Sequence, residues 1–311
     1  MTARIILLDG GMGRELKRRG APFRQPEWSA LALMEAPETV ERAHAAFIAA
    51  GAEVIITNSY ALVPFHIGAA RFATDGQVLA DLAGRLARAA ADAVPNAVSG
   101  RKVRVAGSLP PLFGSYRPDL FDAAGAPDLL APLVAGLAPH VDLWLGETLG
   151  SIAEAEAVAD ALADDAHPHG PRPLWISYTL ADDKPDPENP RLRSHEPIAE
   201  AVRAAVRRGA TAVLFNCSQP EVMAPALEAA RRTLAELGAN IPLGAYANAF
   251  LSKDESAQAN EEVGDLREDL DPEAYLDFAH DWVAGGARIV GGCCGIGPEH
   301  IAALRAAFDG A

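Results

Sequence analysis

A chain of 311 residues with a net charge of −15 lacks the basic face that phosphate binding needs, so nucleic acid is excluded as a partner. Half of the residues are hydrophobic, yet no apolar run is long enough to cross a bilayer, and much of the apolar fraction is alanine in amphipathic stretches. Three cysteines, an odd number, give no disulfide framework, and a chain this long folds without a metal staple, so any metal site is read as functional. The opening MTARIILLDGG runs straight into a strand-like segment without the layout of a signal peptide, and a cytoplasmic location is expected. The acidic surface suits a soluble protein and favours a cationic substrate; an oligomer is left open.

In chain order, short runs rich in Val, Ile and Leu alternate with Ala-rich stretches of helical periodicity. The runs are IILLDG (5–10), VIITNSY (54–60), VRVAGSL (103–109), DLWLGETL (142–149), PLWISYTL (173–180), AVLFNCS ending at Ser218, PLGAYAN (242–248) and RIVGGCCG (288–295). Between them lie helix candidates such as ETVERAHAAFIAAG and GQVLADLAGRLARAAADAV, and Ser151 with Glu154 reads as a capping box opening the helix after the fourth run. Continuous apolar strands separated by helices are parallel strands covered on both faces, and eight such units predict a single-domain (β/α)8 TIM barrel over residues 1–311. An open doubly wound sheet is the alternative, but DGGMGREL after the first strand does not complete a G-x-G-x-x-G fingerprint. The acidic segment 252–271 reads as a long loop at the barrel top, solvated or partly a lid.

Polar residues gather at the strand ends: Asp9, Thr57 to Tyr60, Glu147, Asn216 with Cys217, Asn248, and Cys293 with Cys294. In a barrel those C-terminal ends build the active site, although strand ends also carry ordinary turn chemistry. Adjacent cysteines rarely bond to each other, and the glycines of GGCCG let both sulfurs turn inward. Strands six and eight are near neighbours around a barrel, so Cys217 can meet Cys293 and Cys294 at its mouth. Three thiolates suit Zn2+ with an open fourth position; a buried cysteine alone is more often packing, and both readings stay open on spacing.

The ordered segments LLDGGMGREL, PEWSALALMEAPE, AGAEVIITNSY, GETL, NCS and GARIVGGCCG resemble the homocysteine S-methyltransferase family over nearly the full chain. The pairing of NC with a distant GGCC is the most specific part. The resemblance implies a zinc-binding barrel with Cys217, Cys293 and Cys294 as ligands, and Glu147 as the residue that binds the ammonium of homocysteine. Without it, Glu147 reads as a charge at a helix N-terminus and Asp9 as a turn former. Asp9 and Gly10 match the family's first-strand turn, whose backbone N–H groups, with those near Thr57, suit the substrate carboxylate. Asn216 and Asn248 read as residues orienting the zinc loops, Asn248 also touching substrate. Among the histidines, His44, His66, His167 and His169 have no metal-ligand spacing, and only His195 is a candidate for substrate contact.

Departures from the family pattern fall on the donor side. The usual Y-P-N-x-G is Tyr246-Ala247-Asn248-Ala249-Phe250, a D-G pair is replaced by Ser194-His195, and the tyrosine of betaine-using members is Ala61, beside Tyr60. They point away from betaine and toward a sulfonium donor, S-methylmethionine or S-adenosylmethionine. A free thiol with a pKa near ~8.5 is mostly protonated at neutral pH, and coordination makes it a thiolate that attacks the donor methyl in line. The expected reaction is methylation of homocysteine to methionine. The rivals are a non-catalytic zinc- or thiol-binding barrel, a subunit of a corrinoid methyltransferase assembly, and a methyltransferase for selenocysteine or another small thiol.

Overall fold

The computed structural model describes residues 4–94, 102–163, 171–183, 185–250 and 266–308. His167, His169 and most of the 252–271 segment lie outside the described residues. Eight parallel strands follow the eight apolar runs: β1 Ile6–Leu7, β2 Val54–Ile56, β3 Arg104–Leu109, β4 Leu143–Leu149, β5 Leu174–Tyr178, β6 Ala212–Asn216, β7 Leu243–Tyr246 and β8 Ala287–Val290. Their order, β1-β8-β7-β6-β5-β4-β3-β2, is that of a sheet wound on itself. A parallel bridge between Leu8 and Val54 closes it, flanked by Glu53 N–H donating to Leu7 O at 2.8 Å and Asp9 N–H to Val54 O at 3.1 Å. This is the predicted (β/α)8 barrel.

Strand residues alternate between two apolar environments, as the pleat requires. Leu8, Val54, Ala106, Leu143, Leu145, Trp175, Ala212, Leu214, Tyr246 and Ile289 fill the barrel interior. The opposite parity, including Leu7, Ile55, Val105, Trp144, Ile176, Val213 and Phe215, packs under the helices. Continuing the inward parity toward the C-terminal ends brings Ser108, Glu147, Ser177 and Asn216 into one polar layer above the apolar plug. There Ser108 Oγ donates to Glu147 Oε2 at 2.8 Å, and Ser177 Oγ to Asn216 Oδ1 at 2.7 Å.

The covering helices follow their local signals. The 38–51 candidate is the helix Pro37–Ala49, opened by proline at its first position. The candidate from Gly76 begins earlier, at Ala69, so Gly76 lies inside the helix Ala69–Asp92. The extra turns bury Phe72, and a side chain at position 76 would crowd its ring, which is why glycine is tolerated mid-helix. Ser151 caps the helix Ile152–Ala161, its Oγ accepting from Glu154 N–H at 3.2 Å, while Glu154 Oε2 accepts from Gly150 N–H at 2.7 Å. Among the described residues, no helix is long and apolar enough to cross a membrane.

The barrel plug is predicted to carry much of the stability. Leu145→Ala removes a fully buried interior side chain and should cost about 2–5 kcal/mol in denaturant unfolding. Val78→Ala, at a position 65% exposed, should change stability by no more than about 0.5 kcal/mol.

Candidate functional site

Chain reversals at the ends of β6 and β8 bring the three cysteines together. After β8, Gly292 N–H donates to Asp9 O at 3.0 Å, Cys293 N–H to Ala247 O at 2.9 Å and Ile296 N–H to Cys293 O at 3.1 Å. Gly295 turns the chain with φ +88°, and a Cβ on Gly11 would lie 2.5 Å from the Cys293 carbonyl oxygen, so the first-strand turn must be bare there. Cys217 follows β6 in the left-handed region, φ 53°, which costs a non-glycine residue about 1–3 kcal/mol. Its N–H is held by Tyr246 O at 3.2 Å, and Tyr275 donates its hydroxyl to Gly291 O at 2.8 Å.

The Sγ atoms of Cys217, Cys293 and Cys294 all lie within 4.8 Å of one another. Cys217 Sγ is 2.7 Å from Cys293 Sγ and 4.0 Å from Cys294 Sγ, and Tyr116 donates its hydroxyl to Cys217 Sγ at 3.0 Å. Hydrogen bonds from Cys217 and Cys293 pull the Cys294 thiol well below its ordinary value against the burial that opposes ionisation. The Cys293 thiol is pushed well up by hydrogen bonding to Cys217 and Cys294 and by burial. Among the free thiols Cys294 thus ionises most readily, while Cys217 and Cys293 resist ionisation. A cation among them is what would let all three ionise.

The cluster borders a cavity of about 170 Å3 that also reaches Asp9, Gly10, Thr57, Glu147 and Asn248. All five substrate-side candidates thus line one cavity with the cysteines. Glu147 is 7% exposed and burial pushes its carboxyl up to about 7, with the Ser108 hydrogen bond opposing. Asp9 is raised well above the usual carboxylate range, by burial first, although Ile56 N–H donates to its Oδ2 at 2.8 Å. Asp9 Oδ1 is buried and has no partner among the described residues.

Thr57, Asn216 and Asn248 each have partners inside the fold. The Thr57 N–H donates to Ala106 O at 3.0 Å, and its Oγ1 accepts from Ser108 N–H at 3.0 Å, so sheet pairing already uses this residue. Asn216, immediately before Cys217, ties the start of that loop to β4: its Oδ1 accepts from Thr148 N–H at 3.0 Å and its Nδ2 donates to Thr148 Oγ1 at 2.8 Å. That pins the left-handed Thr148, φ 59°, and with it the adjacent Glu147. Asn248 steadies its own turn, and the main chain of that turn bonds to the cysteine loop. Its Oδ1 accepts from Phe250 N–H at 3.2 Å, while Ala249 N–H in the same turn donates to Cys294 O at 2.8 Å.

His195 is exposed and not among the residues lining the cavity, and its φ of 66° fills the place of the missing glycine. Arg193, two residues earlier, lines the cavity instead, with Asp182, Gln219 and Tyr116. Sequence reasoning missed these four because they stand on loops without a motif; Asp182, just beyond β5, had only its strand-end position as a signal. His66 lines the cavity and is held neutral, burial bringing it down to about 4 while its Nδ1 is 2.6 Å from Pro26 O. His44 is fully buried and likewise pushed down to about 4.

Fold and site together define a (β/α)8 barrel with a three-thiol centre at its C-terminal mouth. The homocysteine S-methyltransferase family profile matches residues 6–308, and the chain belongs to that family. It is 32% identical to homocysteine S-methyltransferase of Escherichia coli (strain K12) over 97% of this chain and 94% of that protein. It is 26% identical to selenocysteine methyltransferase of Astragalus bisulcatus over 96% of this chain and 91% of that protein. Among solved structures, the metallated form of homocysteine methyltransferase MmuM from Escherichia coli matches with a TM-score of 0.74 and 30% identity, covering 97% of this chain and 96% of that one.

The raised Glu147 carboxyl predicts a pH dependence. Its folded-state value of about 7 lies above the ordinary 4.5, so its stabilising contribution is full below about pH 4.5 and is lost as pH rises through about 7. Binding of an ammonium group needs the ionised form and has the opposite trend. Homocysteine KM should rise by up to about tenfold per pH unit below about 7, and Glu147→Gln should flatten that profile. An unchanged profile in the variant would assign the titration elsewhere.

Proposed function

We propose that this chain is a zinc-dependent methyltransferase that moves a methyl group from a sulfonium donor, S-methylmethionine or S-adenosylmethionine, to homocysteine, giving methionine. The observation that carries the reading is the three-thiol cluster within 4.8 Å at the edge of the cavity lined by Glu147. The donor set fits zinc in kind: three soft sulfurs come from two strand ends, and the 4.0 Å between Cys217 and Cys294 is close to the S–S edge of about 3.8 Å in a tetrahedron with Zn–S of about 2.3 Å, while Cys217 and Cys293, at 2.7 Å, would part by about 1 Å. Held by Cys217, Cys293 and Cys294, zinc would supply acidification of a substrate thiol at its open position, so that no separate general base is needed.

The chain's own residues handle the rest. Glu147 receives the ammonium of homocysteine, and the unpartnered Asp9 Oδ1 offers a second acceptor beside it. The backbone of the Asp9–Gly10 turn, with that beside Thr57, receives the carboxylate. Asn216 keeps the Glu147–Thr148 turn in place, and Asn248 holds the loop against Cys294. The buried setting limits water around the reacting sulfur and the cationic donor, and positioning accounts for the remaining rate.

The test is methionine formation by the purified chain with homocysteine and each donor, with metal content measured in parallel. Wild type should hold about one zinc per chain and turn over with at least one sulfonium donor. Cys294→Ser should lose most of the zinc and the turnover, whereas Glu147→Ala should keep zinc and raise homocysteine KM. Full zinc in Cys294→Ser would overturn the three-cysteine site, and no turnover with any donor would favour a non-catalytic thiol-binding barrel. Because one relative is a selenocysteine methyltransferase, selenocysteine belongs in the same assay as competing acceptor.

A further inference from the structure

The proposed reaction brings two amino acids into one cavity, and the Glu147 group accounts for the head of only one. A second polar group stands on the loops after β5 and β6. Arg193 Nη1 donates to Asp182 Oδ1 at 3.0 Å, with the two side chains only 10% and 11% exposed. Asp182 Oδ2 in turn accepts from Gln219 N–H at 2.9 Å, two residues beyond Cys217. The Arg193 guanidinium lies over the Tyr116 ring, 5.8 Å from its centroid, and the Tyr116 hydroxyl donates to Cys217 Sγ. Cys217 thus connects to both groups: Tyr116 bonds to its sulfur and Gln219, two residues on, bonds to Asp182, while Glu147, bonded to Ser108, lines the same cavity.

Among the described residues lining the cavity, Arg193 is the only arginine or lysine. The carboxyl groups there belong to Asp9, Glu147 and Asp182. An amino-acid sulfonium carries two positive groups and one carboxylate, so the acids suit its cationic parts and only Arg193 offers a charged partner for its anion. One nitrogen of the guanidinium is engaged by Asp182, and a planar fork so braced matches a carboxylate with little entropy left to lose. In-line transfer sets the donor sulfur opposite the attacking sulfur across the methyl carbon, so the donor's head group cannot occupy the acceptor's anchor and asks for one of its own.

We propose that Arg193, braced by Asp182 and the face of Tyr116, anchors the carboxylate of the methyl donor, so that the enzyme selects sulfonium donors that are themselves α-amino acids. This rests on the methyltransferase reading above. Arg193 acts on binding and selection of the donor, not on the acceptor.

The experiment compares S-methylmethionine with its decarboxylated counterpart, (3-aminopropyl)dimethylsulfonium, on wild type, Arg193→Met and Arg193→Lys. Donor binding to the homocysteine-loaded enzyme is measured by calorimetry alongside turnover. Wild type should favour S-methylmethionine in kcat/KM, and Arg193→Met should lose about 10- to 100-fold on it, through KM and Kd, the range expected for a charged hydrogen bond. The decarboxylated donor should respond by less than about threefold, and homocysteine KM and zinc content should not move. Arg193→Lys keeps a charge for Asp182 and should fall between the two, guarding against a variant that merely misfolds. Equal losses on both donors, or a rise in homocysteine KM in place of donor KM, would overturn the proposal. No turnover by wild type with either donor would defeat the methyltransferase reading instead, while the calorimetric comparison still decides Arg193.

Discussion

Three buried sulfurs within 4.8 Å of one another cannot all ionise unless a cation lies among them, and the top of this barrel is arranged around that constraint. Cys217 accepts a left-handed backbone to aim its sulfur at the end of β8, and the GGCCG turn is tied to β1 and β7 by main-chain hydrogen bonds. The glycines facing it are bare because a side chain at Gly11 would collide with Cys293. The left-handed Cys217 is unfavourable for folding alone. Together these features fit the support of the metal centre proposed above, whose ligands would come from strands two places apart.

The polar residues around the cluster are held in two ways. The inward parity of β3, β4 and β6 carries Ser108, Glu147 and Asn216 directly above the apolar plug, where rigid strands fix them. Asp182, Arg193, Gln219 and Tyr116 stand on longer loops. Rigid strands suit the acceptor, whose sulfur must meet the centre in one geometry. The loops suit the donor, the part of the reaction in which this chain departs most from its family's pattern, at Ser194-His195 and Ala247.

Much of this was legible in the sequence because it depends on local rules. The eight apolar runs become the eight strands, since residues covered on both faces must be apolar on both parities. The cysteines and Glu147 fall at strand ends, where a barrel concentrates its chemistry. What was not legible depends on tertiary placement. Nothing in the loop after β3 marks Tyr116 as a partner of Cys217, and no spacing rule separates Arg193 from the exposed His195 two residues on. The bonds of Asn216 were not legible because its side chain crosses to β4, a contact set by the winding of the barrel. Helix starts were also displaced: glycine at position 76 looks like a boundary, yet a buried Phe72 draws the helix back to Ala69.

The central claim is that the three sulfurs hold zinc with one position kept for the substrate thiol. Zinc K-edge X-ray absorption on the purified chain, before and after homocysteine, tests it most directly. The account predicts about three sulfur neighbours without substrate and about four with it. A sulfur count that does not rise on adding homocysteine, or one below three at the start, would contradict it.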